Sequence, residues 1–179
     1  MRKLKLQELN RLSEEQVKNA PKVPILLWLD NIRSGHNVGA AFRTGDAFRI
    51  EGLILSGFTP CPPHREILKT ALGADQSVDW HQADDPISEL KKWKGKGYKI
   101  YAVEQTDQSI PLNEFQIPDK TGMILIFGNE VKGVSEELLE LCDSSIEIPQ
   151  YGAKHSFNVS VSIGIVLWEF CRAYRYKSE

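Results

Sequence analysis

The sequence predicts one α/β domain built on a mostly parallel sheet of six strands, and three observations carry that reading. From Pro24 onward, apolar runs of strand length alternate with helical stretches, the pattern of a βαβ chain. Several runs, ILLWL at Ile25 and MILIF at Met123 among them, are apolar at consecutive positions, which suits a strand covered on both faces. The length, 179 residues, suffices for one domain and is short for two.

Taken in order, Ser13 with Gln16 three residues on reads as a capping box opening a short helix that Pro21 and Pro24 stop. Residues 1–20 are therefore expected to form a helical N-terminal extension. The strand PILLWLD is followed by the helical NVGAAFRTGDAF, GLILS by REILKTALG, and VDWH by PISELKKWKGKG. YKIYAVE and GMILIFG are the next strands, the second leading into SEELLELC, and SSIEIP leads into a long helix starting near Asn158. No repeat or linker divides residues 21–179, which are expected to be a single domain.

Apolar residues at 41% and charged residues at 26% exclude a disordered chain. The longest apolar runs are far below the roughly 20 residues that cross a bilayer, so no membrane association is expected. The N-terminus MRKLKLQELNRL alternates leucines with charges and lacks a signal-peptide core, which predicts a cytoplasmic protein. Three scattered cysteines fit a reducing compartment. Cys61 and His64 form a CPPH segment, but no second ligand pair follows at suitable spacing, so no metal is expected. With a net charge of −2, the chain must meet any nucleic acid through a local basic patch.

In open parallel sheets ligands sit beyond the carboxyl ends of the strands, so the segments after strands bear the chemistry. After the first strand, Asn37, Gly39 and Arg43 follow Arg33 and His36, a cluster of donors near a helix N-terminus. The plainer alternative is that Asn37 caps the helix and Gly39 allows close packing. After the strand ending at Phe127, Gly128 and Gly133 have P-loop spacing, but Val134 and Ser135 stand where Lys and Ser or Thr are required. Glu130 in that loop suits a cationic ligand or a structural role, such as capping SEELLELC. After the last strand, Ser156, Asn158, Ser160 and Ser162 crowd the mouth of a helix that is apolar over most of its circumference, as N-caps or as site residues. That helix is expected in the core or against another subunit. No GxGxxG or GxSxG occurs, which removes the usual dinucleotide and hydrolase readings.

In this order, NVGAAFR, FGNEVKGV, and IPQYG followed by SFNVSVS resemble the three motifs of the SpoU (TrmH) family of SPOUT RNA 2′-O-ribose methyltransferases, over about residues 24 to 175. The resemblance implies an α/β fold whose C-terminal part is tied in a deep trefoil knot. It makes Asn37, Arg43, Glu130, Ser156 and Asn158 catalytic, and S-adenosylmethionine the cofactor. The cofactor site would comprise Gln105, Thr106, Phe127, Gly128, Asn129, Ile148, Gly152, Phe157 and Asn158. The reaction implied is methylation of a ribose 2′-hydroxyl in tRNA or rRNA, with tRNA slightly favoured.

The motif-one arginine, Arg43, would either take the hydroxyl proton or act as a charged clamp on phosphate and developing alkoxide. A guanidinium stays charged in proteins, which suits the clamp. The resemblance also implies a homodimer with a shared site, RNA being met by Arg33 and Arg43 and by the lysines at 91, 92, 94 and 96 if these are more than a solvated face. The alternative class is a non-catalytic knotted RNA-binding or ribosome-assembly module, against which the presence of all five polar motif residues weighs.

Overall fold

The computed structural model describes residues 1–9, 11–119 and 121–176; Asn10 of the expected extension and the last three residues of the expected domain lie outside the described residues. After a 3₁₀ turn at Leu6–Leu9, α1 (Glu14–Asn19) opens with the expected capping box: Ser13 accepts from the Gln16 N–H, and the Gln16 side chain accepts from the Ser13 N–H. The remaining elements are β1 (Val23–Asp30), α2 (Gly35–Phe48), β2 (Ile50–Ser56), α3 (Arg65–Ala71), α4 (Ala74–Ser77), β3 (Trp80–Ala83) and α5 (Pro86–Gly95), then β4 (Lys99–Val103), β5 (Ile110–Pro111), β6 (Met123–Phe127), α6 (Glu136–Leu139), β7 (Ser144–Glu147) and α7 (Val159–Tyr176).

The sheet has seven strands, not six, in the order β3-β2-β1-β6-β4-β7-β5. The additional strand, β5, has two residues and pairs Ile110 with Ile146 at the edge. So short a segment carries no apolar run, which is why periodicity passes over it. Every pair in the sheet is parallel.

Register explains the uninterrupted apolar strands. Leu53, Leu27, Leu125 and Tyr101 form one row across four strands, and the next row is Ile54, Trp28, Ile126 and Ala102. Successive residues face opposite sides of a sheet. The first row joins a core with Phe42 of α2, Ile67 of α3 and Ile163, Val166 and Phe170 of α7. The second packs with Leu90 of α5 and Leu138 of α6. Gly39 lets α2 and α3 touch: a Cβ there would lie 2.0 Å from Thr70 Oγ1 and 2.5 Å from the Ile67 carbonyl oxygen. On α7 the inner face is buried while Val161 and Trp168 remain 48% and 58% exposed, so the helix is core on one side and open on the other.

Candidate active site at the carboxyl edge of the sheet

Strands β1, β4, β6 and β7 are adjacent and parallel, so the segments after them converge at one edge. The first begins at Asp30, a carboxylate only 2% exposed. Its Oδ1 accepts from the Ser56 hydroxyl at 2.8 Å and its Oδ2 from the Ser135 N–H at 3.0 Å. Asp30, rather than Glu130, thus satisfies the N–H at the start of α6.

The N-cap of α2 is Ser34, whose hydroxyl accepts from the Asn37 N–H. Asn37 is therefore inside the first turn and its side chain is free of capping. Its amide donates to Glu130 Oε1 at 3.1 Å, while the Arg33 N–H donates to Glu130 Oε2 at 3.1 Å. Partial burial raises the Glu130 pKa, but hydrogen bonds from the Arg33 N–H, its own N–H, the Asn37 amide and the Ser34 N–H outweigh it and hold the carboxyl below its ordinary value. Glu130 is an ionised group clamped to the start of α2.

The loop after β6 is closed on itself. Asn129 and Gly133 exchange backbone hydrogen bonds at 2.9 Å. Asn129 Oδ1 accepts from the Val131 and Lys132 N–H groups at 3.0 Å, and its amide donates to the Asn31 carbonyl at 2.7 Å. Gly133 has φ +73°, and a Cβ on it would stand 2.2 Å from Glu104 Oε2; one on Gly128 would stand 2.1 Å from the Gly133 carbonyl carbon and the Val134 nitrogen. The two glycines are spaced to pack backbone on backbone, not to cradle phosphate. Glu104, at the end of β4, holds this turn by accepting from the Val134 N–H at 3.1 Å and takes the Gln105 N–H at 2.9 Å.

The third segment runs exposed from Tyr151 to Asn158. Asn158 Oδ1 accepts from the Ser160 N–H at 2.9 Å and the Ser160 hydroxyl at 2.6 Å, which caps α7.

These segments enclose a cleft of about 410 Å³ lined by Phe127, Gly128, Asn129, Glu130, Ser156, Phe157 and Asn158, with Val103, Glu104 and Val159. A recess of about 110 Å³ adjoins it, where Gln105 and Ile148 meet Ser156 and Phe157. Most of the expected site residues thus share one place. Four stand apart. The Thr106 hydroxyl is 2.6 Å from that of Ser145, and Gly152 lies in the exposed stretch with open space where a Cβ would be. Arg43 is exposed on α2 and lines neither hollow, and Arg33 lines a different cleft. Among the described residues no group of His, Cys, Asp or Glu is placed to hold a metal ion. Sequence reasoning missed Asp30 and Glu104; the signal available was an acid closing each of two otherwise apolar strands.

Residues 24–168 match the model of the SpoU rRNA Methylase family. The chain is 30% identical over 167 residues to a tRNA (guanosine(18)-2′-O)-methyltransferase of Aquifex aeolicus, covering 92% of this chain and 74% of that protein. It is 32% identical over 166 residues to a 23S rRNA (guanosine-2′-O-)-methyltransferase of Neisseria meningitidis, covering 93% of this chain and 65% of the relative. Among solved structures it resembles the A. aeolicus TrmH/SpoU tRNA modifying enzyme with a TM-score of 0.81 at 30% identity, covering 92% of this chain and 82% of that one. It also resembles an AdoMet-bound rRNA methyltransferase of Sinorhizobium meliloti with a TM-score of 0.77 at 25% identity, covering 87% and 59%. A motif order spread over three loops, a parallel sheet that gathers those loops at one edge and a family match across most of the chain agree: this protein belongs to the SpoU rRNA methylase family.

Proposed function

We propose that this chain is a cytoplasmic S-adenosylmethionine-dependent RNA methyltransferase that methylates a ribose 2′-hydroxyl in tRNA or rRNA, with residues 21–179 as the catalytic domain. The observation that carries the reading is the Asn37–Glu130 hydrogen bond, which fastens the first motif to a cleft walled by the second and third.

The cleft fits the cofactor. Its volume is in the range of small-molecule sites, about 300–1,000 Å³. It combines apolar side chains, Val103, Phe127 and Phe157, with backbone at Gly128 and with the carboxylates Glu104 and Glu130. Carboxylate walls disfavour a phosphate-bearing nucleotide and suit a ligand carrying positive charge. When bound, S-adenosylmethionine supplies a methyl group already activated by its positive sulfur. Gly128, Ile148 and Phe157 would hold the adenosine, with Gln105 at the adjoining recess. Glu130 and Asn158, fixed by their own hydrogen bonds, keep the wall in one geometry, and orientation is the larger share of catalysis when the electrophile is already reactive.

Arg43 acts from outside this cleft, as an electrostatic clamp on RNA phosphate and on the alkoxide that develops at the ribose. Because Arg43 lines neither hollow, the reading extends to a homodimer in which one protomer's Arg43 serves its partner's cleft. The open face of α7, with Val161 and Trp168, supplies an apolar surface for such pairing.

The test is incubation with labelled S-adenosylmethionine and total RNA from cells lacking the protein, followed by mapping of the modified ribose. Label on a 2′-oxygen is the expected result. No transfer to any RNA, by protein that binds the cofactor, overturns the reading.

A further inference from the structure

A second cleft, of about 610 Å³, shares the 129–133 turn with the first: Asn129, Val131 and Gly133 line both. Its walls carry one aromatic ring, Phe58, and two cations, Arg33 and Lys132, against one acid, Glu136. Neither cation has an ion-pair partner among the described residues.

An exposed apolar side chain alone means little, but Phe58, 63% exposed, is held out on a fixed turn. Gly57 takes φ +62° and packs so closely on Asn31 that a Cβ would meet its Oδ1 at 2.0 Å. The Phe58 N–H donates to the same Asn31 oxygen at 3.4 Å. Thr59, 3% exposed, accepts from the Ile32 N–H at 3.0 Å and donates to the Leu29 carbonyl at 3.1 Å. The ring is therefore presented at small entropic cost from a turn anchored to the loop after β1. A flat apolar platform flanked by cations matches an unstacked nucleotide: the base has a π-face and its neighbours are phosphates.

We propose that this cleft receives a splayed-out base of the RNA, stacked on Phe58, with flanking phosphates held by Arg33 and Lys132. The proposal rests on the RNA-methylation reading above and extends it from the cofactor to substrate recognition. The two ligands then share the walls of one turn.

The test compares wild type, Phe58→Ala, Phe58→Tyr and Lys132→Ala in filter binding of small RNA from cells lacking the protein, together with single-turnover methyl transfer and calorimetry of S-adenosylmethionine. Stacking one base is worth about 1–3 kcal/mol, so Phe58→Ala should weaken RNA binding about 5- to 150-fold. Tyr keeps the ring and should restore most of it. Lys132→Ala should reduce the slope of log affinity against log salt by about one. Cofactor affinity and thermal midpoint should not move. RNA binding by Phe58→Ala equal to wild type, or no RNA binding by wild type, overturns the proposal. RNA binding that depends on Phe58 without methyl transfer by wild type leaves the pocket standing and overturns the proposed activity instead.

Discussion

The amide of Asn37 and the carboxylate of Glu130 meet at 3.1 Å across 93 residues of sequence, and no other side-chain pair joins the first loop to the second among the described hydrogen bonds at that carboxylate. Because the folded pKa of Glu130 lies below its unfolded value, its contribution to stability is complete above about pH 4.3 and is lost as pH falls through the folded value. Asn37→Ala removes one donor. It should cost about 0.5–1 kcal/mol at neutral pH, the pair being open to solvent, and the difference from wild type should shrink below about pH 4. Urea unfolding at pH 7 and pH 3 measures both quantities.

Arg43→Ala should lower methyl transfer by about 100- to 1,000-fold, the usual effect of losing a donor aimed at developing charge. Cofactor affinity should hold, since Arg43 lines neither hollow of the candidate site. Stability should stay within about 0.5 kcal/mol, as for an exposed helix position. Lys in its place keeps charge and loses the planar fork, so partial transfer at most is expected. Single-turnover assays beside calorimetry check this; normal transfer by the Ala variant would place the catalytic centre elsewhere.

Gly133→Ala forces a Cβ into a left-handed backbone and against Glu104 Oε2. Strain of this kind costs about 1–3 kcal/mol, and moving Glu104 also frees the Val134 N–H it holds. Lower stability together with weaker cofactor binding is expected. Gly95→Ala, in α5 with nothing within 4 Å of the added carbon, is the control and should be neutral or slightly stabilising. Thermal melts with and without S-adenosylmethionine separate the two.

Burial, reinforced by the Asp143 charge, pushes the Cys142 thiol up to about 12, and burial also raises Cys61. The nucleophile is the thiolate. At pH 8 the native protein should therefore label slowly with maleimide at Cys142, and denaturant should release that reactivity, as peptide mass spectrometry would read.

Light scattering at micromolar concentration should give a dimer mass. Ile165 packs against the core, so Ile165→Glu tests folding and association together. Val161→Arg, on the exposed face of α7, tests association alone and should yield a folded monomer with reduced transfer.

The strands that form the sheet's centre were legible because burial on both faces leaves no polar position, as in Leu125 and Ile126 packing into opposite cores. The edge strand Ile110–Pro111 was not, since two residues have no period. Ser34 as the N-cap was missed for a related reason: Ser34 and Asn37 are both good caps in isolation, and only the fold shows which begins the helix. Glu130, Ser156 and Asn158 were read as one site through motif order, and the sheet places them on one cleft. Glu104 escaped because its role depends on Gly133 and Val134, which no local pattern connects to it.

The interior position of β1 bears on how the chain reaches this state. One edge of β1 finds β2 at once, but its other edge waits for β6, with Leu27 opposite Leu125. During synthesis from the N-terminus, the first three strands thus emerge with a bare apolar edge whose natural cover is still inside the ribosome. Such an edge invites pairing with a neighbouring chain, and distant partners slow folding. Nascent chains that stop short of Met123 are consequently the species on which chaperones would act, and expression yield should respond to chaperone supply more than the stability of the finished protein suggests.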